Sequence, residues 1–279
     1  MRTLFPLRNS GRNTASAVIR ACHPEPTLAV TAVAALLAVA SGRDAGEVAV
    51  ITVAVLTGQL SVGWSNDWFD AARDRMAQRQ DKPVAQGALS LRVVAVGALL
   101  AGCATVPLSL LAGRIGWLHI AAVGSAWLYN WPLKATPLSV VPYLVSFGLL
   151  AQFVVGWPAP WWLLLAAAAL GGGAHFANVL GDLEADAVGG VRGLPHRLGG
   201  TGSRIATILL LATATGILVW GPPGPPSWFA LGVLMATGCV LAVGLVRTCS
   251  TGSPALFRAV MVIALLDVLL LVITNTQPR

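Results

Sequence analysis

Charged residues are scarce in this sequence. Of its 279 residues, 10% are Asp, Glu, Lys or Arg, and 56% are hydrophobic. A soluble domain carries roughly 25% charge, so the composition excludes an ordinary soluble enzyme. Apolar runs of about 20 residues recur along the whole chain, which is typical of a polytopic membrane protein. We expect residues 1–279 to form one polytopic membrane domain, with residues 1–26 as its N-terminal segment.

Cysteine is also rare, and its placement argues against two kinds of site. The four cysteines are Cys22, Cys103, Cys239 and Cys249, and no two of them form a C-x-x-C pair. Three lie in or beside apolar runs, where cysteine serves as a small packing residue. The spacing therefore favours neither a disulfide framework nor a zinc site.

Nine apolar segments divide the chain and predict an all-α membrane protein. They cover about residues 27–42, 46–66, 91–112, 116–132, 138–156, 160–180, 204–220, 227–246 and 256–273, with ends placed to within a few residues. The first apolar segment begins only after residue 26, so the basic N-terminus is interpreted as the approach to the first span and not as a cleaved signal peptide.

The basic residues predict how these segments cross the bilayer. If all nine cross, one side receives fifteen of the 18 Lys and Arg residues: Arg2, Arg8, Arg12, Arg20, Arg73, Arg75, Arg79, Lys82, Arg92, Lys134, Arg192, Arg197, Arg204, Arg247 and Arg258. The other side receives Arg43, Arg114 and Arg279. Cytoplasmic loops carry the excess of basic residues, so the N-terminus is predicted to be cytoplasmic and the C-terminus outside. Because this distribution follows topology and forms no soluble basic face, we expect no nucleic-acid partner.

Acidic residues are rarer still, yet four of the 11 fall within the stretch "SNDWFDAARDRMAQRQDKP", residues 65–83, which follows the second apolar segment. The stretch "NVLGDLEAD", residues 178–186, follows the sixth segment and repeats its N-x-x-x-D-x-x-x-D pattern. The two copies are Asn66, Asp70 and Asp74, and Asn178, Asp182 and Asp186. A spacing of four predicts that each copy lies on one helical face, on the cytoplasmic side.

Like charges four residues apart destabilise a helix, so the repeated pattern calls for a partner. Mg²⁺ takes oxygen ligands, commonly one or two carboxylates together with water and substrate phosphates. Basic residues follow both copies and suit the remaining oxygens of a phosphorylated substrate: Arg73, Arg75, Arg79 and Lys82 after the first, and Arg192 and Arg197 after the second. Solvated helix ends with simple charge pairs are the alternative interpretation.

These residues resemble the UbiA superfamily of intramembrane prenyltransferases. "NDWFDAARD" resembles its N-D-x-x-D-x-x-x-D motif, and "DLEAD" with "GGVRGLP" resembles its second acidic motif and the basic loop that follows. "YNWPLK", residues 129–134, and "IRACHPEPT", residues 19–27, are similar to two further family segments. One position departs from many members, since Val179 stands where they have Asp after the second Asn.

The resemblance implies nine transmembrane helices around a central cavity, with the two Asp-rich motifs in cytoplasmic caps. It also implies an Mg²⁺-dependent enzyme that ionises an isoprenyl diphosphate and transfers the prenyl group to an aromatic or quinone-precursor acceptor. A UbiA-type terpene cyclase, which needs no acceptor, is the alternative. A transporter is disfavoured because the acidic clusters lie at one face and not at the midplane. A CDP-alcohol phosphotransferase is disfavoured because no D-G-x-x-A-R run occurs.

Roles for individual residues follow from this chemistry. Magnesium ligation is assigned to Asp67, Asp70, Asp74, Asp182 and Asp186, of which all but Asp67 are also expected to be catalytic. Asn66 and Asn178 are expected to orient the metal or its waters. Phosphate binding is assigned to Lys82, Lys134, Arg192, Arg20 and Arg79, with a hydrogen bond from Tyr129.

Two further residues have two interpretations each. His175 either takes a proton from the acceptor or packs as a hydrogen-bonded histidine. Asp267, in the ninth apolar segment, either contacts substrate or makes a bond between helices. Six aromatic residues near the motifs either stabilise an allylic cation or simply pack: Trp64, Trp68, Phe69, Trp127, Trp131 and Phe176.

Overall fold

The computed structural model describes residues 10–251 and 254–276, and these residues contain helices but no strand. The α-helices are α1 Ser10–Ala21, α2 Pro24–Ala40, α3 Ala45–Met76, α4 Leu91–Leu111, α5 Gly116–Asn130, α6 Val141–Val155, α7 Trp161–Leu180, α8 Leu183–Val188, α9 Leu194–Trp220, α10 Trp228–Thr251 and α11 Ala255–Thr276. A single 3₁₀ turn, Leu133–Ala135, lies between α5 and α6. Arg2, Arg8 and Arg279, which were used to predict the orientation, lie outside the described residues.

Each of the nine predicted apolar segments coincides with a helix: α2 to α7 and α9 to α11. Six of these helices are long and apolar enough to cross a membrane alone, namely α3, α4, α7, α9, α10 and α11. The α1–α2 pair passes the same test only as one bent span, with an angle of 59° at the break. The apolar helix α6 is shorter. Within the described ranges the structure thus supports six or seven crossings, and nine crossings remain a prediction.

Helix α3 carries the first acidic motif. A capping box starts the helix, since the Asp44 side chain accepts from the Glu47 backbone and the Glu47 side chain accepts from the Asp44 backbone. The helix then runs for 32 residues without interruption and ends only at Met76. The first motif therefore occupies the last turns of a long helix, which confirms that its polar residues share one helical face.

The second motif does not lie on a single helix, and the expectation of one helical face is wrong there. Helix α7 ends at Leu180, and Gly181 forms its C-cap. Asp182 is the N-cap of the short helix α8, which contains Asp186. Asn178 thus belongs to α7 and Asp186 to α8, because glycine tolerates the end of a helix better than it continues one.

Close packing around α7 shapes the middle of the bundle. A side chain at Gly171 would collide with the Phe147 ring and the Tyr143 carbonyl oxygen of α6, each 2.7 Å from the position of its Cβ. A side chain at Gly173 would collide with Leu211 of α9 at 2.9 Å. Small residues allow membrane helices to approach each other closely, so these glycines hold α6 and α9 against α7.

Candidate active site

A cavity of about 460 Å³ lies between α2, α3, α5, α6, α7 and α11. Its mouth is lined by polar side chains from both acidic motifs and from the segments that follow α3 and α5. These are His23, Asn66, Asp70, Asp74, Arg79, Asp81, Lys82, Tyr129, Asn130, Lys134, Asn178, Asp182 and Asp186. Deeper in the bundle the lining is mostly apolar, so the cavity has a charged end and a hydrophobic end.

Lys134 joins the two acidic motifs. Its Nζ donates to Asp70 Oδ2 at 2.6 Å and lies 3.8 Å from Asp186 Oδ1. The other Asp70 oxygen accepts a hydrogen bond from Arg73. Asp70 is buried, so both of its oxygens are held by cations in a place with little water. The sequence placed these two motifs 112 residues apart, and the fold brings them to one ammonium group.

The charges around Lys134 shift its protonation and that of Asp186. Burial alone would lower the pKa of the Lys134 ammonium, but the carboxylates of Asp70 and Asp186 outweigh burial and raise it. Lys134 is therefore a cation at neutral pH. Burial raises the pKa of Asp186, and Asp182 and Asp70 add to that rise against the opposing effect of Lys134.

A second contact between the motifs runs through Arg79. Its Nη1 lies 2.8 Å from Asp182 Oδ1, and its Nε and Nη2 donate to both oxygens of Asp81. The hydrogen bonds from Arg79 lower the pKa of Asp81 to about 2. The segment after α3 is thereby held against the start of α8.

Oxygen donors for a metal ion remain accessible at the mouth. The Asp74 carboxylate lines the cavity and makes no hydrogen bond or ion pair with any described residue. Asn178 is exposed to the cavity as well. No three Asp, Glu, His or Cys side chains of the described residues converge into a complete metal site. Carboxylate and amide oxygens such as those of Asp74 and Asn178 are ligands that a hard cation such as Mg²⁺ takes.

Asp67, predicted as a metal ligand, does not itself line the cavity, although its partners Lys82 and His23 do. It is 1% exposed, and its Oδ1 accepts from Lys82 Nζ at 2.7 Å and contacts His23 Nε2 at 3.0 Å. His23 itself has a left-handed backbone with φ of 55° at the break between α1 and α2. Asp67 therefore holds the side chains of Lys82 and His23 in place at the mouth of the cavity. Sequence reasoning missed His23, although the break in "ACHPEP" marks its position.

Two more contacts at the site, one polar and one between aromatic rings, were missed by sequence reasoning. Asn66 donates from Nδ2 to Asn130 Oδ1 at 3.2 Å, and Asn130 in turn donates to Ser65 Oγ at 2.7 Å. Tyr129 packs edge-on against Tyr143, with ring centroids 4.9 Å apart. These are the only two tyrosines in the chain, and both line the cavity between its charged and apolar parts.

Besides Asp67, four further predicted site residues lie outside the cavity lining. Arg192 is exposed, and Arg20 donates to the Asp81 carbonyl oxygen at 2.8 Å. His175 is buried, with Nε2 3.1 Å from Ser139 Oγ, which matches the packed interpretation. Asp267 accepts from Thr215 of α9 at 2.9 Å, which matches the bond between helices.

No tryptophan of the described residues lines the cavity. Trp68, Phe69, Trp127 and Trp131 instead contact one another on the outer side of α3 and α5, where Trp131 is 64% exposed. The aromatic rings that do line it include Tyr129, Tyr143 and Phe147. Helical periodicity along α3 explains the difference, because residues four apart such as Asn66 and Asp70 share a face, whereas the adjacent Trp68 and Phe69 point in other directions.

The sequence profile of the UbiA prenyltransferase family matches residues 27–266, which is most of the chain. The chain belongs to this family. No curated protein sequence matches it. The family assignment confirms the resemblance that the two acidic motifs predicted.

Solved structures of UbiA homologues share the fold. An apo homologue from Aeropyrum pernix K1 is 17% identical, with a TM-score of 0.71 over 90% of this chain and 98% of that chain. A homologue from Archaeoglobus fulgidus bound to DMAPP and Mg²⁺ is 15% identical, with a TM-score of 0.71 over 94% and 99%. A digeranylgeranylglyceryl phosphate synthase is 16% identical, with a TM-score of 0.64 over 94% and 98%. These similarities establish an intramembrane UbiA-type fold.

Proposed function

We propose that this UbiA-family protein is an Mg²⁺-dependent intramembrane prenyltransferase that ionises an isoprenyl diphosphate and transfers its prenyl group to an aromatic or quinone-precursor acceptor. The observation that carries the proposal is the bridge from Asp70 through Lys134 to Asp186. It joins both acidic motifs at the mouth of one apolar cavity. A diphosphate with a hydrocarbon tail matches this arrangement of a charged and a hydrophobic end.

The cations at the mouth suit the diphosphate. Lys82, Lys134 and Arg79 line the cavity. Each of them also contacts a different carboxylate, which belongs to Asp67, Asp70 and Asp182 respectively. Each would share its N–H groups between its carboxylate and the phosphate oxygens. Negative charge develops on the leaving diphosphate as the C–O bond breaks, so these groups stabilise the transition state more than the ground state.

Magnesium ligation is proposed for Asp70, Asp74, Asp182 and Asp186, with Asn178 beside them. When bound, Mg²⁺ neutralises charge on the leaving diphosphate. The solved homologue from Archaeoglobus fulgidus holds DMAPP and Mg²⁺ together, which supports this choice of metal. Asp67 contributes indirectly, since it keeps Lys82 in place.

The apolar part of the cavity protects the allylic cation. Tyr129 and Tyr143 lie just inside the charged mouth, where their ring faces can stabilise a positive charge. The lining beyond them is largely hydrocarbon, which excludes water that would otherwise capture the cation. An acceptor bound near the two tyrosines would then be the nucleophile that remains within reach.

We also propose nine crossings, with the N-terminus and the cavity mouth in the cytoplasm and the C-terminus outside. Arg43 and Arg114, predicted on the outer side, lie together beside Trp157. Helix α5, although only 15 residues long, carries the exposed Trp117 and Trp131 near its two ends. Tryptophan is enriched at both membrane interfaces, so this placement suits a short crossing.

Product analysis tests the function directly. The purified protein is incubated with Mg²⁺ and isoprenyl diphosphates of several lengths, with and without a phenolic acceptor. We expect consumption of the diphosphate to require the acceptor and to give a prenylated phenol. Formation of a cyclic hydrocarbon without acceptor would identify a terpene cyclase instead.

A matched pair of variants links the result to the site. Asp182→Asn should abolish turnover, whereas Asp44→Asn, at the N-cap of α3 away from the cavity, should leave it unchanged. Equal turnover by both variants would count against the site.

A further inference from the structure

The Asp186 carboxylate lies between two nitrogen groups that approach it without bonding to it. Its Oδ1 is 3.8 Å from Lys134 Nζ, and its Oδ2 is 3.8 Å from His196 Nε2. A hydrogen bond between nitrogen and oxygen spans about 2.7–3.2 Å, so each gap is roughly 1 Å too long. Asp70 of the first motif differs, because both of its oxygens accept hydrogen bonds. Asp186 is therefore held loosely, with one nitrogen on each side.

His196 is buried without a hydrogen bond. Its side chain is 9% exposed, and neither ring nitrogen has a hydrogen-bond partner in the described part of the chain. Burial of an unpaired polar group is unfavourable, so such a group calls for a partner in some state of the protein. Asp186 Oδ2 becomes that partner if the two side chains approach each other by about 1 Å.

The segment that carries His196 is fixed against the turn that carries Lys134. The backbone N–H of Leu194 donates to Ser139 Oγ at 3.0 Å. A Cβ at Gly193 would lie 2.5 Å from the Lys134 carbonyl oxygen, so only glycine permits this close approach. The loop after α8 is thereby tied to the segment after α5. Lys134 and His196 thus keep fixed places on the two sides of the carboxylate between them.

The two nitrogen groups have different surroundings. The Lys134 ammonium lines the cavity, already donates to Asp70 at 2.6 Å, and faces the phosphate oxygens under the proposed function. His196 does not line the cavity. Its ring is therefore available to the Asp186 carboxylate and not to the substrate.

We propose that His196 is a positioning residue that donates from Nε2 to Asp186 Oδ2 when the metal site is occupied, which leaves Oδ1 for the metal. The inference rests on the proposed function, because only an Asp186 that binds Mg²⁺ needs this support. Carboxylates that bind metal ions are themselves hydrogen-bonded, and loss of such a partner lowers metal affinity by about 10–100-fold. His196 touches neither the substrate nor the metal in this account.

Three substitutions at position 196 test the hydrogen bond. His196→Leu removes the donor, His196→Asn places an amide near the position of Nδ1, and His196→Gln places an amide near the position of Nε2. We expect the Leu and Asn variants to raise the Mg²⁺ concentration for half-maximal turnover by about tenfold or more. Most of the wild-type kcat should return at saturating Mg²⁺. His196→Gln should keep an Mg²⁺ requirement close to that of the wild type.

Metal binding is measured separately from turnover. The full-length protein in detergent is titrated with Mn²⁺ in the presence of a nonhydrolysable isoprenyl diphosphate analogue, and unbound Mn²⁺ is measured by electron paramagnetic resonance, with the analogue alone as the blank. The dissociation constant of Mn²⁺ should rise by about tenfold or more in His196→Leu and change little in His196→Gln. An unchanged dissociation constant in His196→Leu would overturn the inference.

Ser203→Ala is the matched control. Ser203 Oγ donates to the carbonyl oxygen of Pro195, directly before His196, and Ser203 does not line the cavity. The substitution loosens the same part of α9, so it should lower thermal stability without changing the Mg²⁺ requirement. An equal rise of the requirement in Ser203→Ala would assign the effect to the stability of this segment and would also overturn the inference. Wild-type protein that consumes no donor, or that binds no Mn²⁺, would refute the proposed function itself.

Discussion

The two acidic motifs share one spacing but differ in structure. Asp70 lies on the continuous helix α3, is 5% exposed and has both oxygens paired with cations. Asp182 lies at the junction of α7 and α8, and its side chain is 36% exposed. Asp70 is thus a fixed part of the bundle, whereas the Asp182 side chain is exposed at the mouth. The difference indicates that Asp70 holds the buried cations, whereas Asp182 and the cavity-lining Asp74 remain accessible to substrate.

Removal of magnesium should have the largest effect on turnover, because both motifs depend on the metal in the proposed mechanism. We expect chelation by EDTA to abolish turnover and added Mg²⁺ to restore it. Ca²⁺ should restore much less, because it prefers more ligands at longer distances than Mg²⁺. The measurement is prenyl transfer at saturating donor. Full activity in EDTA would show that neither motif acts through a metal.

Lys134→Met should have the second-largest effect on turnover, because this substitution removes the ammonium group that joins the two motifs. Loss of one preorganised cation facing developing negative charge costs on the order of 10²–10³ in kcat. Arg192→Met is the control, since Arg192 is exposed and does not line the cavity. We expect the control to retain most of its activity. Equal losses in both variants would mean that the loop after α8 moves to the substrate.

The free energy of unfolding should also distinguish the two motifs, with a smaller effect than that on turnover. Asp70→Asn leaves Lys134 and Arg73 without their buried carboxylate, which should destabilise the protein by about 3 kcal/mol. Asp186→Asn weakens only two contacts of 3.8 Å, with Lys134 and His196, and should change the stability much less. Thermal unfolding in detergent measures both, and turnover should fall in both variants. A larger destabilisation from Asp186→Asn would show that Asp186, and not Asp70, contributes more to the stability of the folded protein.

The smallest effect on stability is expected from removal of the ion pair between Asp81 and Arg79. The folded protein lowers the pKa of Asp81 from 3.8 to about 2. The resulting contribution to stability is present above pH 3.8 and is lost as the pH falls toward 2. Between pH 5 and 8 the wild type and Asp81→Asn should therefore show a stability difference that does not change with pH. A difference that changes across that range would show that another group titrates with the pair.

The sequence allowed the prediction of the helical class, the family and the positions of both acidic motifs. Local spacing was sufficient for these, because Asn66, Asp70 and Asp74 belong to one uninterrupted helix. It was insufficient for the second motif, where Gly181 ends α7 inside the pattern. A four-residue repeat carries no information about whether the helix continues through it.

Long-range contacts were beyond prediction for a different reason. His23 reaches Asp67 across 44 residues, and its position depends on a left-handed backbone that non-glycine residues rarely adopt. The tryptophans near the motifs had two interpretations, at the cavity or packed elsewhere, and no tryptophan of the described residues lines the cavity. Nearness in sequence does not specify which side of a helix faces the cavity, whereas the packing of six helices does.

A structure of the protein with Mg²⁺ and a nonhydrolysable isoprenyl diphosphate analogue tests the central claim most directly. We predict that the diphosphate contacts residues of both motifs, with Lys134 between them and the hydrocarbon tail in the apolar part of the cavity. A diphosphate held by one motif alone, or bound outside the cavity between α2, α3, α5, α6, α7 and α11, would contradict the account.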